Sequence, residues 1–202
     1  MTRGVTDRDR AKADRHDALL REAARLFAAR GFSGVSLEDL GSAVGVSGPA
    51  VYRHFAGKQA LLAAILVGVS ERLRDGGVAV ARRVTDPRAR LAALVAFHVS
   101  FALTEADVIR VQDRDLASLP DEDARRVRRL QREYVGVWTD ALREILTDAE
   151  PAELRVRTYA CFGLINSTPH SVRGVAWSVP DGPAAPVLEA MALAALTARA
   201  LA

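Results

Sequence analysis

The side chains with the clearest chemical potential lie close together near the N-terminus. Tyr52, Arg53, His54 and Lys58 share one short stretch, and hydroxyl, imidazole and cationic groups all donate hydrogen bonds to phosphate oxygens. An arginine can also bind a guanine edge, although a solvated surface position is an equal interpretation of Arg53. Small residues precede this stretch and allow close approach to base edges and thymine methyl groups: Gly48, Pro49, Ala50. The sequence therefore predicts a DNA-contacting surface, with Tyr52 and His54 on phosphates.

A tight turn between two short helices would position this surface. Gly45 follows the apolar positions of one helix and tolerates the left-handed conformation that ends helices, while Ser47 suits the N-cap of the next helix. Val51 and Phe55 are four residues apart, so they share the buried face of that second helix. The pattern predicts a helix-turn-helix whose second helix faces the major groove.

Flanking helices complete this part of the chain. An apolar helical face upstream ends at Gly31. Ser36, followed by Glu38 and Asp39, predicts the N-cap of the next helix, and we also assign Ser36 and Ser47 to the DNA-contacting set. Lys58 begins a fourth helix, whose N-terminal N–H groups and ammonium predict a phosphate clamp.

These residues resemble the DNA-binding domain of the TetR family of bacterial transcriptional repressors. The resemblance rests on residues 23–32, on residues 36–40 and on the signature Val46-Ser47-x-x-x-Val51-Tyr52-x-His54-Phe55-x-x-Lys58. Gln59 departs from the pattern, since the family often has an acidic residue there. The resemblance implies an all-α homodimer that binds an inverted-repeat operator, with repression as the commoner outcome.

Composition is compatible with this interpretation. The chain has 202 residues, 50% of them apolar and 26% charged, which is enough to bury a core in one helical body or two small ones. The formal net charge of +3 lies within residues 1–64, which hold 10 Lys and Arg against 7 Asp and Glu. Residues 1–15 are predicted to be a flexible basic leader, either solvated or in contact with phosphates.

Several functional classes lack support in the sequence. The charged N-terminus and the absence of a long uncharged apolar run predict a cytoplasmic protein without membrane association. No nucleophile elbow, phosphate loop, dinucleotide fingerprint or HExxH motif occurs, so we expect no catalytic residue. Cys161 is alone and is predicted to be a core residue, and the four histidines have no metal-binding spacing: His16, His54, His98, His170. We therefore expect no metal and no cofactor.

Helical periodicity continues after residue 64, without any β period. One helix is expected from Lys58 to about residue 84, with Gly76 and Gly77 as a weak point, and the next begins at Asp86. Further helices are expected over residues 105–116, 122–146, 151–171 and 186–201. The last helix has a nearly continuous apolar face of small residues: Val187, Met191, Ala194, Ala195, Ala198. This face predicts a symmetric four-helix dimer interface, the alternative being packing within one subunit.

The central region is where a small-molecule effector would bind. Aromatic side chains could form the walls of a pocket, although plain core packing is the favoured alternative: Phe97, Phe101, Tyr134, Trp138, Phe162. Four polar residues are candidate anchors: His98, Arg110, Asn166, His170. The arginines at residues 125–132 predict a solvated face, or else a site for the phosphates of a large anionic ligand.

Residues 115–120, 129–134 and 163–170 resemble the effector domain of actinobacterial TetR-type regulators of lipid and acyl-CoA catabolism. This resemblance implies an acyl-CoA thioester or a related acid as the effector. The fourth helix, which begins at Lys58, is expected to swing when the effector binds.

The sequence as a whole predicts three segments: a leader at 1–15, a helix-turn-helix domain at 16–64, and an effector-binding and dimerisation domain at 65–202. The predicted function is a ligand-responsive DNA-binding regulator, most simply a repressor that binds a palindromic operator as a homodimer and is released by a small hydrophobic or acyl-CoA-type effector. A helical protein-interaction adaptor without operator binding is the alternative.

Overall fold

The computed structural model describes residues 7–46, 48–171 and 182–198. These residues are helical with no strand among them, which confirms the all-α prediction. The helices are α1 (Asp7–Arg30), α2 (Leu37–Ala43), α3 (Gly48–Tyr52), α4 (Lys58–Arg83), α5 (Pro87–Thr104), α6 (Ala106–Asp115), α7 (Asp121–Arg143), α8 (Pro151–Ser171) and α9 (Ala184–Thr197), with a 3-10 turn at Leu116–Ser118.

The chain divides into two compact units. The first contains Met1–Val69 and Arg110–Arg126, and the second contains Ser70–Ile109 and Val127–Ala202. The chain passes between the units within three helices, α4, α6 and α7. Residues 110–126 therefore belong to the same compact unit as the helix-turn-helix, an association between distant parts of the chain that periodicity does not reveal.

The first unit is organised by two glycine turns. Gly31 has φ +81° and donates its N–H to the carbonyl of Phe27, ending α1. Gly45 has φ +71° and follows α2, and the N–H of Val46 returns to the carbonyl of Gly41 at 2.8 Å. Gly45 thus adopts the left-handed conformation predicted for it, and Gly31, predicted only as the end of the first helix, adopts the same conformation.

The start of α1 differs from the prediction. Residues 7–15 were expected to belong to a flexible leader, but they form the first turns of α1. Their composition explains the difference, because alanine, arginine and lysine have high helix propensity and can extend a helix that is anchored further along. Residues 1–6 lie outside the described part of the chain.

The second unit surrounds one apolar core. Asp86 caps α5 by accepting a hydrogen bond from the N–H of Ala89 at 2.7 Å, and Pro87 occupies the first turn, as expected. The core draws on α5, α7, α8 and α9, with fully buried side chains that include Leu94, Trp138 and Ile165.

Gly76 and Gly77 were expected to weaken α4, but α4 is continuous across them. A Cβ atom at Gly76 would lie 2.3 Å from a ring atom of Phe97, and one at Gly77 would lie 2.6 Å from the ring of Tyr134. The two glycines therefore leave space for aromatic rings of α5 and α7 to pack against the backbone of α4.

No single helix among the described residues is both long and apolar enough to cross a membrane. Helix α5 and residues 106–118 together have a sufficient length and apolar composition, but the two are bent by 84° with respect to each other. Within the same described ranges, no group of three His, Cys, Asp or Glu side chains is placed to hold a metal ion.

Candidate DNA-binding and effector sites

The candidate DNA-binding surface is the reading segment, which we define as residues 48–55. Val51 is fully buried and Phe55 is 6% exposed, and the N–H groups of both His54 and Phe55 hydrogen-bond the carbonyl of Val51. On the opposite side Tyr52 is 56% exposed, and Arg53 is also exposed. The segment is thus held by two apolar anchors while polar side chains face outward.

The other predicted DNA contacts in and beside this segment differ in exposure. Pro49 is exposed and His54 is half-buried. Ser47 lies outside the described residues, and so do the exposure of Gly48 and the side chain of Ala50. The DNA-contacting roles of all these residues stay predictions.

Helix α1 packs against the reading segment through His16. The ring of His16 stacks on Phe55 with centroids 4.8 Å apart, and it lies 6.3 Å from the ring of His54. This contact was not predicted from the sequence, because Phe55 lies 39 positions after His16 and no local pattern connects the two.

Lys58 already has structural partners. Its Nζ atom donates to the carbonyl of Val35 at 2.9 Å and lies 4.5 Å from the centroid of the Phe32 ring. The ammonium therefore joins the start of α4 to the loop before α2. An ammonium has three N–H donors, so the predicted phosphate clamp has to share this group with a fold-stabilising contact.

Ser36 forms a complete capping box with Asp39. Its hydroxyl accepts a hydrogen bond from the N–H of Asp39 at 3.0 Å, and the Asp39 carboxylate accepts from the N–H of Ser36 at 2.8 Å. The backbone hydrogen bond from Ser36 lowers the pKa of Asp39, with the Ser36 hydroxyl adding to the effect. Ser36 is exposed, but its hydroxyl is engaged in the cap.

In the second unit the structure brings most of the predicted effector residues together. Five rings from α5, α7 and α8 form what we call the aromatic cluster: His98, Phe101, Tyr134, Trp138, Phe162. His98 and Phe162 stack with centroids 4.4 Å apart, and Phe162 is nearly parallel to Tyr134 at 5.5 Å. Phe97 instead packs on Gly76.

A chain of hydrogen bonds runs through the aromatic cluster. Asn166 Oδ1 is 3.2 Å from His98 Nε2, and the Tyr134 hydroxyl is 3.2 Å from His98 Nδ1. Burial lowers the pKa of His98 to about 4, so the imidazole is neutral at neutral pH. Because an amide oxygen only accepts, Nε2 donates to Asn166 and Nδ1 accepts from Tyr134. Burial also raises the pKa of Tyr134, which keeps its hydroxyl protonated.

Two other predicted effector residues, Arg110 and His170, have no described contact with the aromatic cluster. Arg110 belongs to the first compact unit rather than to the unit that contains the aromatic cluster. The side chain of His170 lies outside the described residues. Cys161 is buried in the core of the second unit, as expected, and burial raises the pKa of its thiol to about 12.

Helices α8 and α9 carry an apolar outer face, which we define as Val156, Tyr159, Val187 and Met191. Each of these side chains is more than half exposed, with values of 67, 55, 52 and 51%. The predicted interface residues Ala194, Ala195 and Ala198 are exposed as well. The other side of α9 packs into the core through residues such as Leu188 and Leu196.

The sequence analysis missed Val156 and Tyr159. They lie on the side of α8 opposite the buried residues Leu154 and Cys161, so α8 is apolar on two sides. A helix with two apolar sides needs two packing partners, and the apolar residues on both sides of α8 could have been recognised from the sequence.

Comparison with known proteins agrees with this architecture. The family model for bacterial regulatory proteins of the tetR family matches residues 19–65, and the model for a tetracyclin repressor-like C-terminal domain matches residues 84–201. The chain belongs to the TetR family. It is therefore a DNA-binding transcriptional regulator and not an enzyme, and the resemblance seen in the sequence is confirmed.

Individual relatives extend the comparison. The chain is 30% identical to the HTH-type transcriptional repressor KstR2 of Mycolicibacterium smegmatis, over 85% of this chain and 82% of that protein. A TetR-family regulator from Bordetella parapertussis has a similar structure, with a TM-score of 0.79, 25% identity and coverage of 91% of this chain and 94% of that one. The fold of AibR, solved in complex with isovaleryl coenzyme A and operator DNA, matches with a TM-score of 0.72 at 20% identity, over 90% and 97% of the two chains.

Proposed function

We propose that this TetR-family regulator is a repressor that binds a palindromic operator as a homodimer and is released by a small hydrophobic or acyl-CoA-type effector. The observation that carries the proposal is the reading segment, in which Val51 and Phe55 anchor a short helix whose outer side presents Tyr52 and Arg53. The similarity to KstR2, a repressor, supports the direction of regulation.

A homodimer is needed because α3 has only five residues and buries too little surface to select one site in a genome. Two copies related by a two-fold axis would present their reading segments to successive major grooves about 34 Å apart. The apolar outer face of α8 and α9 supports this assembly, because large apolar side chains in water favour burial against a second copy.

The aromatic cluster supports the effector part of the proposal. It combines apolar rings with a small number of oriented polar groups, as ligand sites do. The indole N–H of Trp138 is buried and its contact with the Tyr134 hydroxyl falls outside good hydrogen-bond geometry, so it is available as a donor to a carbonyl oxygen such as that of a thioester. The AibR complex shows that a regulator of this fold binds an acyl-CoA.

Operator binding is tested by selecting bound oligonucleotides from a random pool. We expect an inverted repeat, with weakened binding to all sequences for Tyr52→Ala and His54→Ala. The salt dependence should be unchanged in Tyr52→Ala, since a hydroxyl neutralises no phosphate. Arg53→Ala should relax the preference at one base pair by about 1–3 kcal/mol if it binds guanine. Failure of the unmodified protein to enrich any sequence contradicts the proposal.

Effector binding is tested by calorimetry with acyl-CoA thioesters of increasing chain length, followed by release of the selected operator. The effector must bind the DNA-free arrangement better than the DNA-bound one, since equal affinity shifts nothing. Trp138→Phe keeps an aromatic ring but removes the N–H donor, and it should weaken binding by roughly tenfold. No binding at high micromolar concentration would exclude this class of effector.

A further inference from the structure

An arginine at the end of α6 hydrogen-bonds the last turn of α1. Arg114, at the end of α6, donates from Nη1 to the carbonyl of Ala28 at 3.4 Å and from Nη2 to the carbonyl of Phe27. Both carbonyls belong to the last turn of α1, where carbonyl groups are accessible to side-chain donors. A cation at this end of a helix also interacts favourably with the helix dipole.

A buried carboxylate holds the guanidinium in place. Asp115 is 7% exposed and accepts from Arg114 Nε at 3.0 Å and from Nη2 at 2.9 Å. Such a two-point pair fixes the plane of the guanidinium as well as its position. The other N–H groups of the guanidinium are thereby directed to the carbonyl groups of α1 instead of to solvent.

Gly31, the residue that follows α1, lies beside the Arg114 guanidinium. Gly31 turns the chain with φ +81°, and a Cβ atom there would lie 3.9 Å from Arg114 Cζ. The Phe27 carbonyl accepts from Gly31 N at 2.8 Å as well as from Arg114. The Phe27 carbonyl thus connects the turn that ends α1 with the arginine at the end of α6.

Helix α1 continues from this junction to the reading segment. His16 lies twelve residues before Ala28 on α1, about 18 Å along the helix axis. Its ring stacks on Phe55 at 4.8 Å and approaches His54 at 6.3 Å. Arg114 and the reading segment therefore contact the same helix at points about 18 Å apart, all within the first compact unit.

We infer that Arg114 is a positioning residue through which α6 sets the place of α1, and that α1 sets the place of the reading segment. Helix α6 is one of the three helices that pass between the units, with residues 106–109 in the second and residues 110–115 in the first. A displacement of α6 is then carried to Phe55 by a rigid helix, in addition to any movement of α4. The regulatory meaning of this route rests on the proposed function, but the mechanical link does not.

Hydrogen exchange of the protein without DNA or effector tests the link directly. In Arg114→Gln we expect roughly tenfold faster exchange at the N–H of Gly31 and at the N–H groups of His54 and Phe55. The N–H of Leu61 in α4, which bonds the Gly57 carbonyl at 3.1 Å, should be unchanged. Arg125→Gln, an exposed position in the same unit with the same change of charge, should alter none of them.

A second substitution distinguishes an effect carried along α1 from a general loss of stability in the first unit. In His16→Ala the contact between α1 and Phe55 is removed, so adding Arg114→Gln should still accelerate Gly31 but add nothing at Phe55. Equal acceleration of Leu61 in Arg114→Gln, or acceleration of Gly31 alone, overturns the inference. If Arg114→Gln does not fold, Asp115→Asn replaces it, and the same pattern is expected with smaller changes.

Operator affinity supplies an independent measurement. With an oligonucleotide selected by the unmodified protein, Arg114→Gln should bind roughly tenfold more weakly with the same salt dependence, since no phosphate contact is lost. Unchanged affinity, or a salt dependence reduced by one unit, overturns the inference. If the unmodified protein selects no DNA, the proposed function fails while the exchange result stands by itself.

Discussion

Several polar residues have partners that give them a role in folding as well as a candidate role in binding. Lys58 bonds the Val35 carbonyl, Ser36 bonds Asp39, and His98 lies between Tyr134 and Asn166. Substitution of such a residue changes stability and binding together. Experiments on these positions therefore need one measurement for each effect.

The first prediction concerns the pH dependence of stability. His98 takes up a proton only below about pH 4 in the folded chain, whereas an unfolded histidine does so near 6.5. The unfolded state binds more protons between these values, so the free energy of unfolding falls as pH drops from 6.5 to 4 and is unaffected above 6.5. The loss is about 3 kcal/mol. Denaturant unfolding of wild type and His98→Gln at several pH values measures it, and parallel pH curves for the two proteins would contradict the prediction.

The second prediction separates capping from DNA binding at Ser36. Ser36→Ala removes the hydroxyl that caps α2 and should lower the free energy of unfolding by about 1 kcal/mol. Ser36→Thr keeps a capping hydroxyl and serves as the control. If Ser36 also contacts a phosphate, operator affinity will fall in the alanine variant and be kept in Ser36→Thr, with the salt dependence unchanged in both because a hydroxyl neutralises no phosphate. An operator affinity unchanged in the alanine variant would leave Ser36 as a cap alone.

Among the helices, α4 and α8 show most clearly how packing decides the role of a sequence feature. The paired glycines of α4 are helix weakeners by propensity, yet they lie where the rings of Phe97 and Tyr134 meet the backbone. Helix α8 is apolar on two sides because one side faces the core and the other carries Val156 and Tyr159. Neither outcome follows from a helix considered alone.

The third prediction uses this packing in α4. A glycine-to-alanine change inside a helix normally stabilises it by about 0.5–1 kcal/mol. At Gly76 or Gly77 the added methyl overlaps an aromatic ring, so either alanine variant should instead destabilise the protein by about 1–3 kcal/mol. At Gly136 in α7 a Cβ atom would have no neighbouring atom within 4 Å, and Gly136→Ala is the matched control that should be neutral or stabilising. Thermal unfolding of the three variants decides the matter, and equal effects at all three positions would contradict the packing argument.

For the molecule as a whole, the proposed function requires two copies of the chain. Each copy has one reading segment and one apolar outer face, and the segment is too short to bind a specific site tightly by itself. DNA affinity should therefore depend on association between copies. Protein concentration then becomes a variable that affects operator binding.

The fourth prediction follows from this dependence. Met191→Glu places a charge in the apolar outer face and should convert the dimer to a monomer in analytical ultracentrifugation, with operator affinity reduced by at least tenfold. Ala79→Glu introduces the same charge at an exposed position of α4 and should change neither property. A dimer that persists in Met191→Glu would exclude Met191 from the interface.

Local sequence was sufficient for the features that depend on neighbouring residues. The cap at Ser36, the glycine turns at Gly31 and Gly45 and the start of α5 at Asp86 each involve atoms a few positions apart, so spacing alone predicts them. The TetR motifs lie within the same short range. For this reason the residues and their spacing were enough to predict the fold class and the family.

Contacts between distant residues could not be predicted in this way. His98 meets partners 36 and 68 positions away, and Arg114 meets carbonyls 86 and 87 positions away. Helical periodicity states which face of a helix is apolar, but it does not state which other helix covers that face. The pairing of α6 with α1, the neutral state of His98 and the need for glycine in α4 all depend on such packing, so the arrangement of the helices in three dimensions decides them.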